Sequence, residues 1–284
     1  MYFHKVTILG VGLLGASFAL ALRQYGLCNT VVGYGRTQAN LMRAQEKTII
    51  DSFNLDPAKA CDDSDLIVFA TPVGTFFDIA KQISHVVKRD AIVTDVGSVK
   101  GKLVRGMEGL MPPQVFFVGA HPIAGGDRSG IETASARIFT KAQCIITPTQ
   151  KTDKNALEKI IAMWRTFGCL TTLMDPEEHD RIYAAVSHLP HLLAYEIVNT
   201  VADINSSYLS FSGQGFKDTT RIAASHFEIW RDICMYNRDN LLAYIELYKK
   251  NLDTVSRYLR DDDAESLSRD FQRARTLRES LGQD

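Results

Sequence analysis

The sequence predicts an α/β fold, a doubly wound amino-terminal domain followed by an all-helical carboxy-terminal domain. Short apolar runs alternate with amphipathic segments from Lys5 to about Thr149, as in a parallel sheet covered on both faces. The glycine-rich stretch Gly10-Val11-Gly12-Leu13-Leu14-Gly15 joins the first run to the first amphipathic segment, which is Rossmann-type geometry. After Met174 the strand-like runs stop and only helical periodicity continues.

Taken in order, strands are expected at 6–9, 30–34, 66–70, 91–94, 115–118 and 143–147, several of them almost uninterrupted apolar runs. Segments 13–25, 38–47, 76–86 and 99–110 carry the helical pattern between them. A helix at 155–167 leads to a last strand at 169–173, on the edge of the sheet. Asp175-Pro176-Glu177-Glu178 then opens a helix: Asp175 can cap it, Pro176 suits its first position, and the acids favour its positive end. This helix should run to about Ala202, with Pro190 kinking it or forcing a local break. Ser- and Gly-rich 205–219 reads as a loop or short turns. Helices resume near Arg221 and end in a charged tail from Asp262. The domains are expected at 1–174, dinucleotide-binding, and 175–284, helical.

Composition bounds the function. The 284 residues are 45% hydrophobic and 23% charged, with a formal charge of -1, so no global positive field draws the chain to nucleic acid or anionic lipid. No window approaches the roughly 18 apolar residues of a membrane span, and no secretion signal opens the chain. The five cysteines, Cys28, Cys61, Cys144, Cys169 and Cys234, form no close pair. They are expected to be reduced thiols in a cytoplasmic protein, neither a disulfide framework nor a metal site.

The glycine loop is informative because it lies between a strand and a helix. Gly10 permits the tight turn, Gly12 lets the backbone approach a pyrophosphate, and Gly15 allows close helix–strand packing. Free N–H groups from about Leu13 and Leu14 face the anion. An NAD site usually has an acid at the end of the second strand. Here Gly35 occupies that place, Arg36 and Thr37 follow, and the next acid is Glu46. Without a carboxylate to repel a 2′-phosphate, Arg36 can pair with it and Thr37 can donate to it, so NADP is favoured and NAD stays possible. Thr71 and Pro72 close the third strand beside the cofactor crevice, and the 94–100 loop closes the next strand in the same way.

Beyond the cofactor, Gly119-Ala120-His121-Pro122-Ile123-Ala124-Gly125-Gly126-Asp127-Arg128-Ser129-Gly130 resembles a stretch of the prephenate/arogenate (cyclohexadienyl) dehydrogenase family. Asp95-Val96-Gly97-Ser98-Val99-Lys100, Ser187-His188-Leu189-Pro190-His191, Gly215-Phe216-Lys217-Asp218-Thr219-Thr220-Arg221 and Trp230-Arg231-Asp232-Ile233 are similar to it in the same order. Gly126 departs from the family's serine, and Asp127 and Arg128 keep charge sign but change length.

The resemblance implies an oxidative decarboxylation on the route to tyrosine. Hydride leaves the hydroxyl-bearing ring carbon for the nicotinamide, the hydroxyl proton leaves to a base, and loss of carbon dioxide makes the ring aromatic. It implies His121 as that base, Ser98 as its or the substrate's hydrogen-bond partner, and Arg221 as the main carboxylate ligand, with Lys217 and His188 completing the anion pocket. Ser98 also reads as a cap for the helix 99–110, and Trp230 as packing near the pocket. A metal is not expected, despite the spacing of His188 and His191. The resemblance further implies a homodimer through the helical domain, and the chain is expected to lack the fused mutase and regulatory domains of some relatives. The alternatives are a related β-hydroxyacid dehydrogenase and a dinucleotide-binding regulator without catalysis.

Overall fold

The structure is a computed structural model that describes residues 2–125 and 130–281. Gly126, Asp127, Arg128 and Ser129, where the sequence departs from the family pattern, lie outside the described residues.

Eight strands form one sheet: β1 (Phe3–Leu9), β2 (Cys28–Tyr34), β3 (Ser52–Asn54), β4 (Leu66–Phe69), β5 (Ile92–Asp95), β6 (Phe116–Pro122), β7 (Gln143–Thr147) and β8 (Leu170–Leu173). Their order is β3-β2-β1-β4-β5-β6-β7-β8, parallel throughout except for the antiparallel pair β6–β7. Helices α1 (Leu13–Gln24), α2 (Gln38–Glu46), α3 (Pro57–Cys61), α4 (Phe76–Ile83), α5 (Gly101–Leu110) and α6 (Lys154–Thr166) connect them.

Both sheet faces are buried, which explains why the strands read as continuous apolar runs. Val6 and Ile8 of β1, with Leu66 and Val68 of β4, join one core with Phe18 of α1 and Trp164 of α6. Leu9, Ile67, Phe69 and Val93 join the other, with Phe76 and Ile79 of α4 and Leu103 of α5.

Beyond β8 the chain forms α7 (Pro176–Tyr183), a π-helical turn (Ala184–His188), α8 (Leu189–Asn205), α9 (Gln214–Thr220), α10 (Phe227–Tyr236), α11 (Arg238–Arg260) and α12 (Ala264–Ser280). Asp175 caps α7 through the N–H groups of Glu177 and Glu178. The expected long helix is interrupted by the π turn, and Pro190 follows directly in the first turn of α8, so the local break falls just before the proline. Contacts group Met1–Asn237 into one compact unit and Arg238–Asp284 into another. The change of texture near residue 174 marks where strands end, and α7 to α10 belong to the same unit as the sheet.

Several expectations needed correction. Strand β3 and helix α3 were not foreseen: three residues show no periodicity, and α3 rests on Asp56, which accepts from Ala58 and Lys59, with Pro57 at its start. The stretch 205–219, read as a loop, holds a 3₁₀ segment (Ser206–Phe211) and α9. The charged tail is the helix α12, capped by Asp263.

Candidate active site

Sheet order reverses between β1 and β4, and there the glycine loop meets the end of β4. Gly10 has φ +102, and a Cβ on it would lie 2.6 Å from the backbone of Ala70 and Thr71. A Cβ on Gly15 would lie 2.0 Å from the Gly10 carbonyl oxygen. Gly12 is different: a Cβ there meets nothing within 4 Å. It is the N-cap of α1, where no side chain caps and the first turn holds no acid. Open space over free N–H groups, with Leu13 and Leu14 opening the helix, fits a pyrophosphate.

Gly35 follows β2 and Arg36 and Thr37 are exposed. Thr37 starts α2 without capping it through its side chain. Asn40 donates to the Val11 carbonyl at 2.8 Å and ties α2 to the glycine loop. Across the switch, Thr71 and Pro72 are half-buried, and the Thr75 hydroxyl bonds both the Thr71 hydroxyl and the Pro72 carbonyl at 2.8 Å.

Farther along the sheet, Asp95 and Lys100 form an ion pair of 2.6 Å with neither side chain exposed. The ammonium also donates to the carbonyls of Gly97 at 2.6 Å and Val99 at 3.2 Å. The carboxylate accepts from the backbone of Gly97 at 2.8 Å and Ala120 at 3.0 Å. Each charge is thus surrounded by partners, the condition under which a buried pair is tolerated. This rigid loop carries Ser98, which is half-buried. Ser98 is not the cap: α5 begins at Gly101, and the N–H groups of Lys100 and Gly101 go to Asp180 of α7, at 2.7 and 2.8 Å.

His121 is the penultimate residue of β6 and only 9% exposed. Its Nδ1 lies 2.9 Å from Nε2 of His179, whose own Nδ1 lies 2.9 Å from Oδ1 of Asp180. The Tyr183 ring packs edge-on to His121, with centroids 5.0 Å apart. Burial, then the neighbouring His179, Lys100 and His188, hold His121 well below the ordinary range of an imidazole. Burial likewise pushes His179 down to about 2 and His188 down to about 4.

His188 is completely buried. Its Nδ1 lies 3.0 Å from the Asn237 amide, its Nε2 has no hydrogen bond, and the Ser98 backbone faces the ring. The accessible histidine is His191, one turn on. It stacks on Trp230 at 3.4 Å between ring centroids, and its Nδ1 donates to the Ser187 carbonyl at 2.9 Å. Burial lowers the His191 pKa, and Arg221 is close enough to lower it further. Arg221 is exposed in the 3₁₀ turn that follows α9, and Lys217 is exposed on α9 itself.

The structure places His121 near the Asp95–Lys100 loop, and Arg221 near His191, which stacks on Trp230; His179, Asp180 and Asn237, which bond into this group, were not singled out from the sequence. His179 lies 58 residues from His121, and nothing local announces that α7 packs on α5. Among the described residues no group of three or more His, Cys, Asp or Glu could hold a metal, and no helix is long and apolar enough to cross a membrane.

Two family descriptions match the chain in succession: residues 18–172 match the nucleotide-binding domain of prephenate dehydrogenase, and residues 175–273 its dimerization domain. The prephenate dehydrogenase of Bacillus subtilis is 32% identical over 98% of this chain and 76% of its own length. The cyclohexadienyl dehydrogenase of Zymomonas mobilis is 29% identical over 99% of this chain and 97% of its own. Among solved structures, the prephenate dehydrogenase of A. aeolicus in complex with hydroxyphenyl propionate and NAD+ superposes with a TM-score of 0.93, at 36% identity and 99% coverage of both chains. Synechocystis arogenate dehydrogenase gives 0.80 at 28% identity, covering 98% of this chain and 100% of its own.

Proposed function

The chain belongs to the prephenate dehydrogenase family, and from that membership we propose that it oxidatively decarboxylates prephenate to 4-hydroxyphenylpyruvate, with arogenate as the second substrate to be tried. The observation that carries the reading is His121, a buried ring kept neutral at the end of β6, beside the loop that bears Ser98. A base must be neutral before it can take a proton, and desolvation holds it so.

Bound over the glycine loop, the oxidised nicotinamide supplies the hydride acceptor. Gly10, Gly12, Leu13, Leu14 and Gly15 hold its pyrophosphate, and Thr71 and Pro72 border the nicotinamide end. The Gly35 position offers no acid while Arg36 and Thr37 are exposed beside it, which supports NADP over NAD. His121 takes the substrate hydroxyl proton as hydride leaves the carbon that bears that hydroxyl, and Ser98 orients the hydroxyl. Carbon dioxide then departs because the ring becomes aromatic. Arg221 holds a substrate carboxylate by its planar fork, Lys217 adds positive charge, and His191 takes the place first given to His188. The match of 175–273 to a dimerization domain supports a homodimer.

The test is the purified protein with prephenate or arogenate and either oxidised cofactor, followed at the reduced-nicotinamide absorbance. Turnover is expected, falling roughly 10²- to 10⁴-fold in His121→Asn with cofactor affinity unchanged. No turnover with either substrate, or a folded His121→Asn as active as wild type, overturns the reading.

A further inference from the structure

We propose that Asp180 and His179 are positioning residues that act through His121, fixing it as the Nδ1–H tautomer so that Nε2 presents the lone pair. This rests on the reading of His121 as the base, and it concerns how that base is kept ready.

Asp180 Oδ1 accepts from the Lys100 N–H at 2.7 Å and Oδ2 from the Gly101 N–H at 2.8 Å. Backbone N–H groups cannot exchange roles, so both oxygens are acceptors, as in an ionised carboxylate at a helix start. The third contact, 2.9 Å from Oδ1 to His179 Nδ1, must then be an N–H donated by the imidazole. A neutral imidazole carries one proton, so His179 Nε2 is a lone pair. Its 2.9 Å contact with His121 Nδ1 therefore requires the proton on His121. Nε2 of a neutral His121 is left bare.

Both rings are neutral for reasons visible around them. His179 is fully buried and His121 nearly so. Facing His121 are the Lys100 ammonium from the loop before α5, His188 from the π turn and the Tyr183 ring from α7. Among these groups the one fixed charge, Lys100, is positive, and none of them favours an imidazolium.

The intervening histidine has its own consequence. A carboxylate directly on His121 would orient the ring and also raise its pKa. With a neutral ring between them, orientation is transmitted while the negative charge is held one residue away. When Nε2 takes the hydroxyl proton, the Nδ1–H bond to His179 becomes charge-assisted and strengthens.

The experiment is two-bond ¹H–¹⁵N correlation on whole protein labelled with ¹⁵N-histidine, His121 being assigned through His121→Asn. The expected wild-type ring at neutral pH is Nδ1–H with Nε2 bare. A ring protonated at Nε2 overturns the proposal whether or not any variant folds. The second arm compares His179→Leu with His179→Gln, whose side-chain oxygen can still accept from Nδ1–H. Leu is expected to lower kcat about 10- to 100-fold and lose the tautomer, with Gln restoring much of both and cofactor affinity constant in each. Equal kcat in Leu and wild type, or equal losses in Leu and Gln, overturns it. The two readings fail separately. An Nε2–H ring with inactive His121→Asn removes the relay and keeps the base, while an active His121→Asn removes the base and leaves the tautomer measurement standing.

Discussion

The carboxylate of Asp180 bonds the Gly101 N–H at 2.8 Å from 79 residues away, closing the amino end of α5 with a side chain of α7. The same pair leaves no room for a side chain on Gly101, because a Cβ there would lie 2.9 Å from Oδ2.

Asp180→Ala is therefore expected to destabilise the protein by about 1.5–3 kcal/mol, the range for a lost hydrogen bond to a charged group. Gly101→Ala should also destabilise it, despite alanine's better helix propensity, because a locked carboxylate must move. Denaturant midpoints of the two variants check this; either one matching wild type removes the cap from its role.

Acid should weaken the fold earlier than carboxylate titration alone would. His179 and His188 have pKa values of about 2 and about 4, against 6.5 for a free ring. Both are neutral when folded and take up a proton on unfolding. Their burial is thus fully favourable above 6.5, and the advantage is lost as pH falls from there toward the folded values. By about pH 5 each histidine costs about 2 kcal/mol. Denaturant midpoints at about pH 7 and about pH 5 measure it. A midpoint that does not change would mean that the folded rings take up protons over the same range as free ones.

Cofactor choice can be tested at Gly35, where a Cβ would sit 3.5 Å from Leu41 in ordinary contact, so aspartate fits. Wild type is expected to have the higher kcat/KM with NADP, and Gly35→Asp should reverse or strongly reduce that ratio by repelling the 2′-phosphate. Arg36→Ala should raise KM for NADP more than for NAD; about 1.4 kcal/mol gives a tenfold preference. An NAD preference in wild type that Arg36→Ala leaves alone would show that the ribose is held from elsewhere.

Arg221→Ala should raise the substrate KM about tenfold or more, as removal of a charge-assisted hydrogen bond does. His191→Ala should act in the same direction, and His188→Gln chiefly on stability, since His188 is buried against Asn237. Steady-state kinetics at saturating cofactor separate the three. An unaltered KM in Arg221→Ala would make Lys217 the better carboxylate ligand.

The sheet was legible in sequence wherever strands are buried on both faces, because apolar runs such as 66–69 have no other use. The glycine loop was legible because each of its glycines answers a separate steric demand. His121 could be picked out by the stretch around it. His179 and Asp180 could not, since their meaning depends on α7 packing against α5, a relation across the fold that leaves no local pattern. Which of His188 and His191 is the more accessible was not legible for a related reason: three residues apart on a helix, the two differ in burial, and they pack on Asn237 and Trp230, which come some forty to fifty residues later in the chain.

The π turn at Ala184–His188 bears on the angular phase of everything after it. In uninterrupted α winding, His179 and His188 would stand about 900° apart, on opposite sides of the axis. One extra residue in the turn brings them to about 80°, the same side. There the Asn237 amide lies 2.8 Å from the Asp180 carbonyl and 3.0 Å from His188 Nδ1. Winding the same residues as ordinary α-helix, without the π turn, would rotate α8 by about 100°. His188 would swing from the core and His191 from Trp230, with no side chain of α8 altered. The π turn at 184–188 thus acts as an indexing device: deleting its extra residue would restore regular winding with α8 still in phase, whereas keeping that residue without the π turn is equivalent to substituting every position of α8 at once.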